Sequence, residues 1–121
     1  MSKFEIQKRK MPEGIILDVQ GDITLFTSPD LRKEILATLR KDAHAALILN
    51  LERVNYIDSS GLATLIEGLQ ESQKKKSRYA LFGLSKIVRN VFEIAKLSEA
   101  FEIYQDEIEA LQSVGSERPR T

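Results

Sequence analysis

The spacing of hydrophobic residues along the 121-residue chain changes period several times, and each change marks an element. Residues 4–10 alternate weakly, with Phe4, Ile6 and Lys8 on one side, as an edge strand would. Met11, Pro12, Glu13 and Gly14 supply a turn, and residues 15–21 read as a second strand, so the two are expected to pair as an antiparallel hairpin. A helix start follows. Ser28 is expected to cap it, Pro29 suits the first helical position, and Asp30 favours the positive end of the helix dipole. Leu31, Ile35, Leu36 and Leu39 then share one face.

Residues 45–51 form a short apolar run, the pattern of a strand buried on both faces. Leu62, Leu65, Ile66 and Leu69 return to the i, i+3, i+4, i+7 spacing of a helix, which closes in the basic run Lys74-Lys75-Lys76-Ser77-Arg78. That run reads as a solvated helix C-terminus. Residues 79–83 are a third apolar strand. Ser85 is placed to cap a helix bearing Ile87, Val88, Val91, Phe92 and Ala95. Residues 101–104 read as a short last strand, and Asp106 starts a helix carrying Ile108 and Leu111. The order predicts one α/β domain over residues 1–112, followed by a flexible C-terminal tail over residues 113–121. Its sheet is mixed: an N-terminal antiparallel hairpin, then parallel strands joined by right-handed crossovers, with about four helices. In such sheets sites gather at the carboxyl ends of strands, so the loops after the second strand and before the second helix hold the candidate chemistry.

Composition narrows that chemistry. The chain has 18 basic and 18 acidic residues, no cysteine and one histidine. Without cysteine there is no disulfide, no thiol nucleophile and no cysteine zinc site, and a single histidine cannot build a multi-histidine metal centre. A balanced charge lacks the basic excess of nucleic-acid binders. No apolar run approaches the roughly 18 residues of a membrane span, and the opening residues carry no signal-peptide hydrophobic region. The glycine-rich loop and lysine that cradle nucleotide phosphates are missing. The expectation is therefore a non-enzymatic protein of the cytoplasm, with no cofactor, no metal, no nucleic-acid partner and no membrane insertion. His44, between the first helix and the central strand, is expected to be exposed and without a chemical role. Gly68, inside the second helix, points to tight packing against a neighbour.

The loop Asp58-Ser59-Ser60-Gly61 places two hydroxyls and an acid where a helix exposes unpaired N–H groups. One reading is capping by Ser59 or Ser60, with Gly61 allowing close packing. The other is that a serine accepts a phosphate, whose charge a helix N-terminus tolerates well. An aspartyl-phosphate receiver with Asp58 as acceptor is a weaker alternative, because no further acids are placed to hold its Mg²⁺.

The stretch Tyr56-Ile57-Asp58-Ser59-Ser60-Gly61-Leu62 resembles the STAS domain of bacterial anti-sigma-factor antagonists. Three other segments agree: Gly21-Asp22-Ile23 before the first helix, Ala46-Leu47-Ile48-Leu49-Asn50-Leu51 as central strand, and residues 84–97 followed by Phe101 as third helix and exit. The resemblance covers about residues 4–112 and implies partner switching. In that family the unmodified protein binds an anti-sigma factor that is also a serine kinase, releasing its target. Phosphorylation of the serine after the motif aspartate ends binding, and a serine phosphatase reverses it. By position, the resemblance makes Ser59 the phosphoacceptor, has Asp58 orient or contact the loop, Ser60 cap the helix and Gly61 permit close approach. Where the family's neighbouring turn carries a second acid close to the phosphoacceptor loop, this chain has Thr24, with Asp22 two positions earlier. Phe26 and Thr27, near the motif loop, are candidates for the partner surface, with Leu62 and Arg89 behind them. The alternative that the resemblance leaves is a constitutive STAS subunit of a transport or sensory-scaffold complex.

Overall fold

The computed structural model of the protein describes residues 3–42 and 45–115. His44 and the residues after Gly115 lie outside the described residues. Among the described residues nine elements follow one another: β1 (Glu5–Met11), β2 (Gly14–Gln20), α1 (Ser28–Lys41), β3 (Ala46–Arg53), α2 (Ser59–Lys74), β4 (Tyr79–Phe82), α3 (Lys86–Ile94), β5 (Glu102–Tyr104) and α4 (Glu107–Gly115). They build a single five-stranded sheet in the order β1-β2-β3-β4-β5. β1 and β2 are antiparallel, with Glu5 opposite Gln20 and Met11 opposite Gly14, and the other three pairings are parallel. This is the fold class that the periodicity indicates.

The strands alternate their side chains between two cores. On one face Ile15, Leu17 and Val19 of β2, Leu47, Leu49 and Leu51 of β3, and Tyr79 and Leu81 of β4 meet α1, α2 and α3 through Leu31, Ile35, Leu39, Leu62, Leu65, Val88 and Phe92. On the other face Ile16, Ala46, Ile48, Ala80 and Phe82 meet Ala110 and Val114 of α4. Polar groups bind α4 down at its two flanks. Arg9 spans from Asp18 (2.6 and 2.8 Å) to Glu107 (2.7 and 3.1 Å), and Asn50 Nδ2 donates to Asp18 at 2.7 Å. On the other flank Arg78 pairs with Glu102, and the Tyr104 and Ser113 hydroxyls lie 2.6 Å apart.

Two boundaries differ from the sequence reading. Residues 113–115 belong to α4 and not to a tail: Val114 is buried one turn after Ala110, and the Ser113 hydroxyl is hydrogen-bonded. At the start of α1, Ser28 is the first helical residue and is buried, Thr27 holds the cap position, and Pro29 falls one place further in. The cause is a tight turn in the preceding loop, where the Ser28 N–H donates to the Thr24 carbonyl at 2.7 Å. Two later caps stand where the sequence puts them: Ser85 accepts from the Val88 N–H (3.2 Å) and Asp106 from the Glu109 N–H (2.9 Å).

Candidate functional site

The carboxyl ends of β2 and β3 continue beyond the sheet as two loops that stay in contact. Ile23 and Ile57 form an isolated parallel bridge, with the Ile23 N–H donating to the Tyr56 carbonyl (3.0 Å) and the Asp58 N–H to the Ile23 carbonyl (3.1 Å). This bridge holds Asp58 in an extended conformation (φ −105°, ψ −174°) directly before α2. Asp58, not Ser60, is therefore the cap. Its Oδ1 accepts from the Gly61 N–H at 3.0 Å, and its Oδ2 accepts from the Leu25 N–H, also at 3.0 Å. One carboxylate thus fixes both the start of α2 and the neighbouring loop, and its charge suits the helix N-terminus. Ser59 and Ser60 are already helical, Ser59 exposed and Ser60 half-buried. Among the described residues neither of their hydroxyls has a hydrogen-bond partner.

Gly61 sets how closely α2 approaches. A Cβ there would lie 2.6 Å from Ile57 Cγ1, 2.7 Å from Ile23 Cγ2 and 2.8 Å from the Ile23 carbonyl oxygen. The first turn of α2 therefore rests directly on the bridge between the loops, with Ser59 on its outer side. In the neighbouring loop, the Thr24 hydroxyl accepts from the Phe26 N–H at 3.2 Å. The Thr27 hydroxyl donates to the Asp22 carbonyl (2.7 Å) and accepts from the Thr24 N–H (2.8 Å). Both threonines thus serve the shape of their own loop, while Asp22 is exposed.

The sequence matches the family model of the STAS domain over residues 5–110. The chain belongs to the STAS domain family. It is 33% identical over 100 residues to the anti-sigma-B factor antagonist of Listeria monocytogenes, covering 83% of this chain and 86% of the relative. To the protein of the same name in Staphylococcus aureus it is 29% identical over 85 residues, 70% of this chain and 78% of the relative. The fold is shared with an anti-sigma factor antagonist from Mycobacterium paratuberculosis (TM-score 0.84, 21% identity, 93% and 94% of the two chains). It is also shared with the anti-sigma factor antagonist SpoIIAA, both in its unphosphorylated form (TM-score 0.78, 23% identity, 97% and 100% of the two chains) and in its phosphorylated form (TM-score 0.69, 23% identity, 93% and 99%).

Within this STAS domain the residues named from the sequence separate into three groups. Asp58, Ser59, Ser60, Gly61, Asp22 and Thr24 lie on the two bridged loops and the first turn of α2. Phe26 is 87% exposed beside them. Leu62 does not belong to a surface: it is 9% exposed and packs in the core, because its i, i+3 spacing to Leu65 puts it on the inner face of α2. Thr27 is half-buried, and Arg89 is exposed on α3 with no hydrogen bond to the motif loop among the described residues. Sequence reasoning missed Leu25, 64% exposed, and Tyr56, 48% exposed, on the same two loops. Their signal is weak but real: both are large apolar residues outside any periodic run. Among the described residues no group of three acidic or histidine side chains could hold a metal, and no helix is long and apolar enough to cross a membrane.

Proposed function

We propose that this STAS domain is an anti-sigma-factor antagonist working by partner switching, with Ser59 as phosphoacceptor. The unmodified form binds an anti-sigma factor that is also a serine kinase and so frees that kinase's target. Phosphorylation of Ser59 ends binding, and a serine phosphatase restores it. The exchange takes place in the cytoplasm, and this chain acts as a binding protein throughout. The observation that carries the reading is the exposed, unbonded Ser59 hydroxyl on the first turn of α2, beside an aspartate whose two oxygens both accept backbone N–H groups. In the transfer Ser59 Oγ attacks the γ-phosphorus of ATP and ADP leaves. The hydroxyl proton goes to a base of the kinase, since Asp58 is engaged in capping. Two likenesses support the reading: the anti-sigma-B factor antagonist of Listeria monocytogenes, and SpoIIAA, which occurs in unphosphorylated and phosphorylated forms.

The physics favours release without unfolding. A phosphate adds about −1.5 to −2 charge, which the N-terminus of α2 accommodates. Against a kinase site already lined by nucleotide phosphates the same charge is repelled and desolvated. A penalty on the order of 3 kcal/mol lowers affinity about 100-fold. The test is incubation with the serine kinase from the same genome and ATP, followed by tandem mass spectrometry and binding measurements. One phosphate is expected on Ser59, with Ser59→Ala binding but unmodified and Ser59→Asp not binding. Binding of Ser59→Asp at wild-type affinity refutes the switch. Thr24, standing where the family's turn carries an acid, favours a second reading as a constitutive subunit of a transport or scaffold complex. That reading requires stable co-purification with the complex, unchanged by either Ser59 variant.

A further inference from the structure

The chain is neutral overall, yet its charges are unevenly placed. Strands β3 and β4 begin side by side, so the helices that lead into them, α1 and α2, finish at the same end of the sheet. The two helices run in register: Arg32 Nε donates to Glu67 at 2.8 Å, and a Cβ on Gly68 would lie 2.9 Å from Ile35 Cγ2. About two turns further on, Arg40 and Lys41 close α1, Lys74 closes α2, and Lys75 and Lys76 follow it. Lys75 is half-buried and the other four are exposed. Among the described residues none of the five forms an ion pair. The acids of the same turns are Asp42 and Glu71, both half-buried, so this end carries an excess of three positive charges.

Some of that charge answers the helix dipoles, whose carbonyl ends favour cations. Lys76 goes further. α2 closes in a Schellman motif, with the Lys76 N–H donating to the Gln73 carbonyl (3.1 Å) and the Ser77 N–H to the Ser72 carbonyl (3.0 Å). Lys76 itself takes φ 56°, the left-handed region that suits glycine and strains a lysine. Like charges gathered on two neighbouring helix ends also repel one another. Both features work against folding, and both keep cations on this surface.

We propose that this basic end is an adhesion surface for an anionic lipid bilayer, to which the domain is drawn through Arg40, Lys41, Lys74, Lys75 and Lys76 without inserting. Three features select the bilayer. The cations stand at helix carboxyl ends, where carbonyl dipoles oppose a phosphate in direct contact; phosphates sit best at amino ends. A charged bilayer needs no such contact, because its potential attracts cations across a hydrated gap of about a Debye length, roughly 8 Å. Four of the five cations are lysines, flexible point charges in place of the planar forks that recognise a single phosphate. None of the large exposed apolar side chains of the described residues belongs to these turns. The surface thus lacks both the anchors of a protein contact and the stacking groups of a single-strand binder. Ser59 lies beyond the carboxyl end of β3, so adhesion here faces it away from the bilayer. The adhesion is independent of partner switching.

The experiment is co-sedimentation of the full chain with vesicles of phosphatidylcholine alone or of phosphatidylcholine with phosphatidylserine. Wild type is expected on the mixed vesicles only, and about 0.5 M NaCl should release it. Each cation near such a surface contributes about fivefold to partitioning. Lys74→Gln/Lys75→Gln/Lys76→Gly should therefore bind at least about 10-fold more weakly. Lys3→Gln/Lys33→Gln/Lys86→Gln removes the same charge from exposed positions at the Ser59 end and should stay within about threefold. Lys76→Gly alone should bind about fivefold more weakly while its urea midpoint rises, which separates the cation from the fold. Equal binding of wild type to both kinds of vesicle overturns the proposal. So does an equal loss in the two triple variants, which would assign the effect to net charge. If wild type ignores the anionic vesicles but retains a duplex oligonucleotide or polyglutamate at the same salt, the surface belongs to that partner and the bilayer is overturned. Lys76→Gly binding like wild type overturns the part assigned to Lys76.

Discussion

Gly61→Ala tests the packing that presents Ser59. The added methyl would sit 2.6 Å from Ile57 Cγ1, 2.7 Å from Ile23 Cγ2 and 2.8 Å from the Ile23 carbonyl oxygen. None of these can move cheaply. Ile23 and Ile57 are 0% and 1% exposed, both side-chain carbons are attached directly to a β-carbon, and the Ile23 carbonyl is held by the Asp58 N–H. Overpacking of this kind costs about 1–3 kcal/mol, and three contacts under 3 Å put it at the upper end. Alanine's better helix propensity returns at most about 1 kcal/mol. The net loss is about 2 kcal/mol, which corresponds to a fall of roughly 1 M in the urea midpoint. The melting temperature should drop by roughly 6–8 °C. Urea unfolding followed by circular dichroism measures the first and a thermal scan the second. A midpoint within about 0.2 M of wild type refutes the view that α2 rests on the loop bridge.

Three further outcomes follow from other contacts. Gly68→Ala is expected to destabilise by about 1–3 kcal/mol, since a Cβ there would lie 2.5 Å from the Tyr79 hydroxyl. Tyr79→Phe removes that oxygen and its 3.0 Å bond to the Leu65 carbonyl, so a double-mutant cycle in urea should show Gly68→Ala costing less in the Tyr79→Phe background. Burial pushes the Asp18 carboxyl up, but hydrogen bonds from Arg9 and Asn50 and the charges of Arg9 and Arg53 outweigh it and hold the group below its ordinary value of 3.8. A carboxyl with a lowered folded pKa stabilises the protein above that ordinary value, and the stabilisation is lost as pH falls through the folded pKa. Urea midpoints between pH 6 and pH 3 should therefore decline more steeply for wild type than for Asp18→Asn, and parallel curves would contradict the assignment. Ser59→Asp places a charge on an exposed first-turn residue and should change stability by no more than about 0.5 kcal/mol in a thermal melt. A large loss would mean that the charge disrupts α2.

Much of this architecture is legible in the chain because burial dictates residue type. The apolar runs that became β3 and β4 lie between two cores, and Val88 and Phe92 fix the inner face of α3. Details that depend on hydrogen-bond geometry are less legible. Asp58, Ser59 and Ser60 are all good caps, and what selects Asp58 is the bridge to Ile23, a contact across 34 residues that no local pattern reveals. The Thr27 hydroxyl bonds within the turn before α1, so the helix starts earlier than Ser28 suggests as a cap. Leu62 is a different case: its periodicity already marks it as core, and only its nearness to the motif makes it look like surface. The i, i+4 pair Ala110 and Val114 likewise carries α4 past the boundary placed at residue 112.

The Arg9 and Tyr104–Ser113 anchors fasten α4 to the side of the sheet opposite α1 and α2, and its last residue, Gly115, packs against Glu13 in the β1–β2 turn. That turn lies at the amino end of β2, whereas Ser59 lies beyond the carboxyl end of β3. Gly115 and Ser59 thus lie at opposite ends of the sheet. A fluorophore or surface tether attached in the β1–β2 turn, beside Gly115, lies at the end of the sheet away from Ser59. Chain immobilised through that turn therefore keeps Ser59 accessible for testing the proposed kinase.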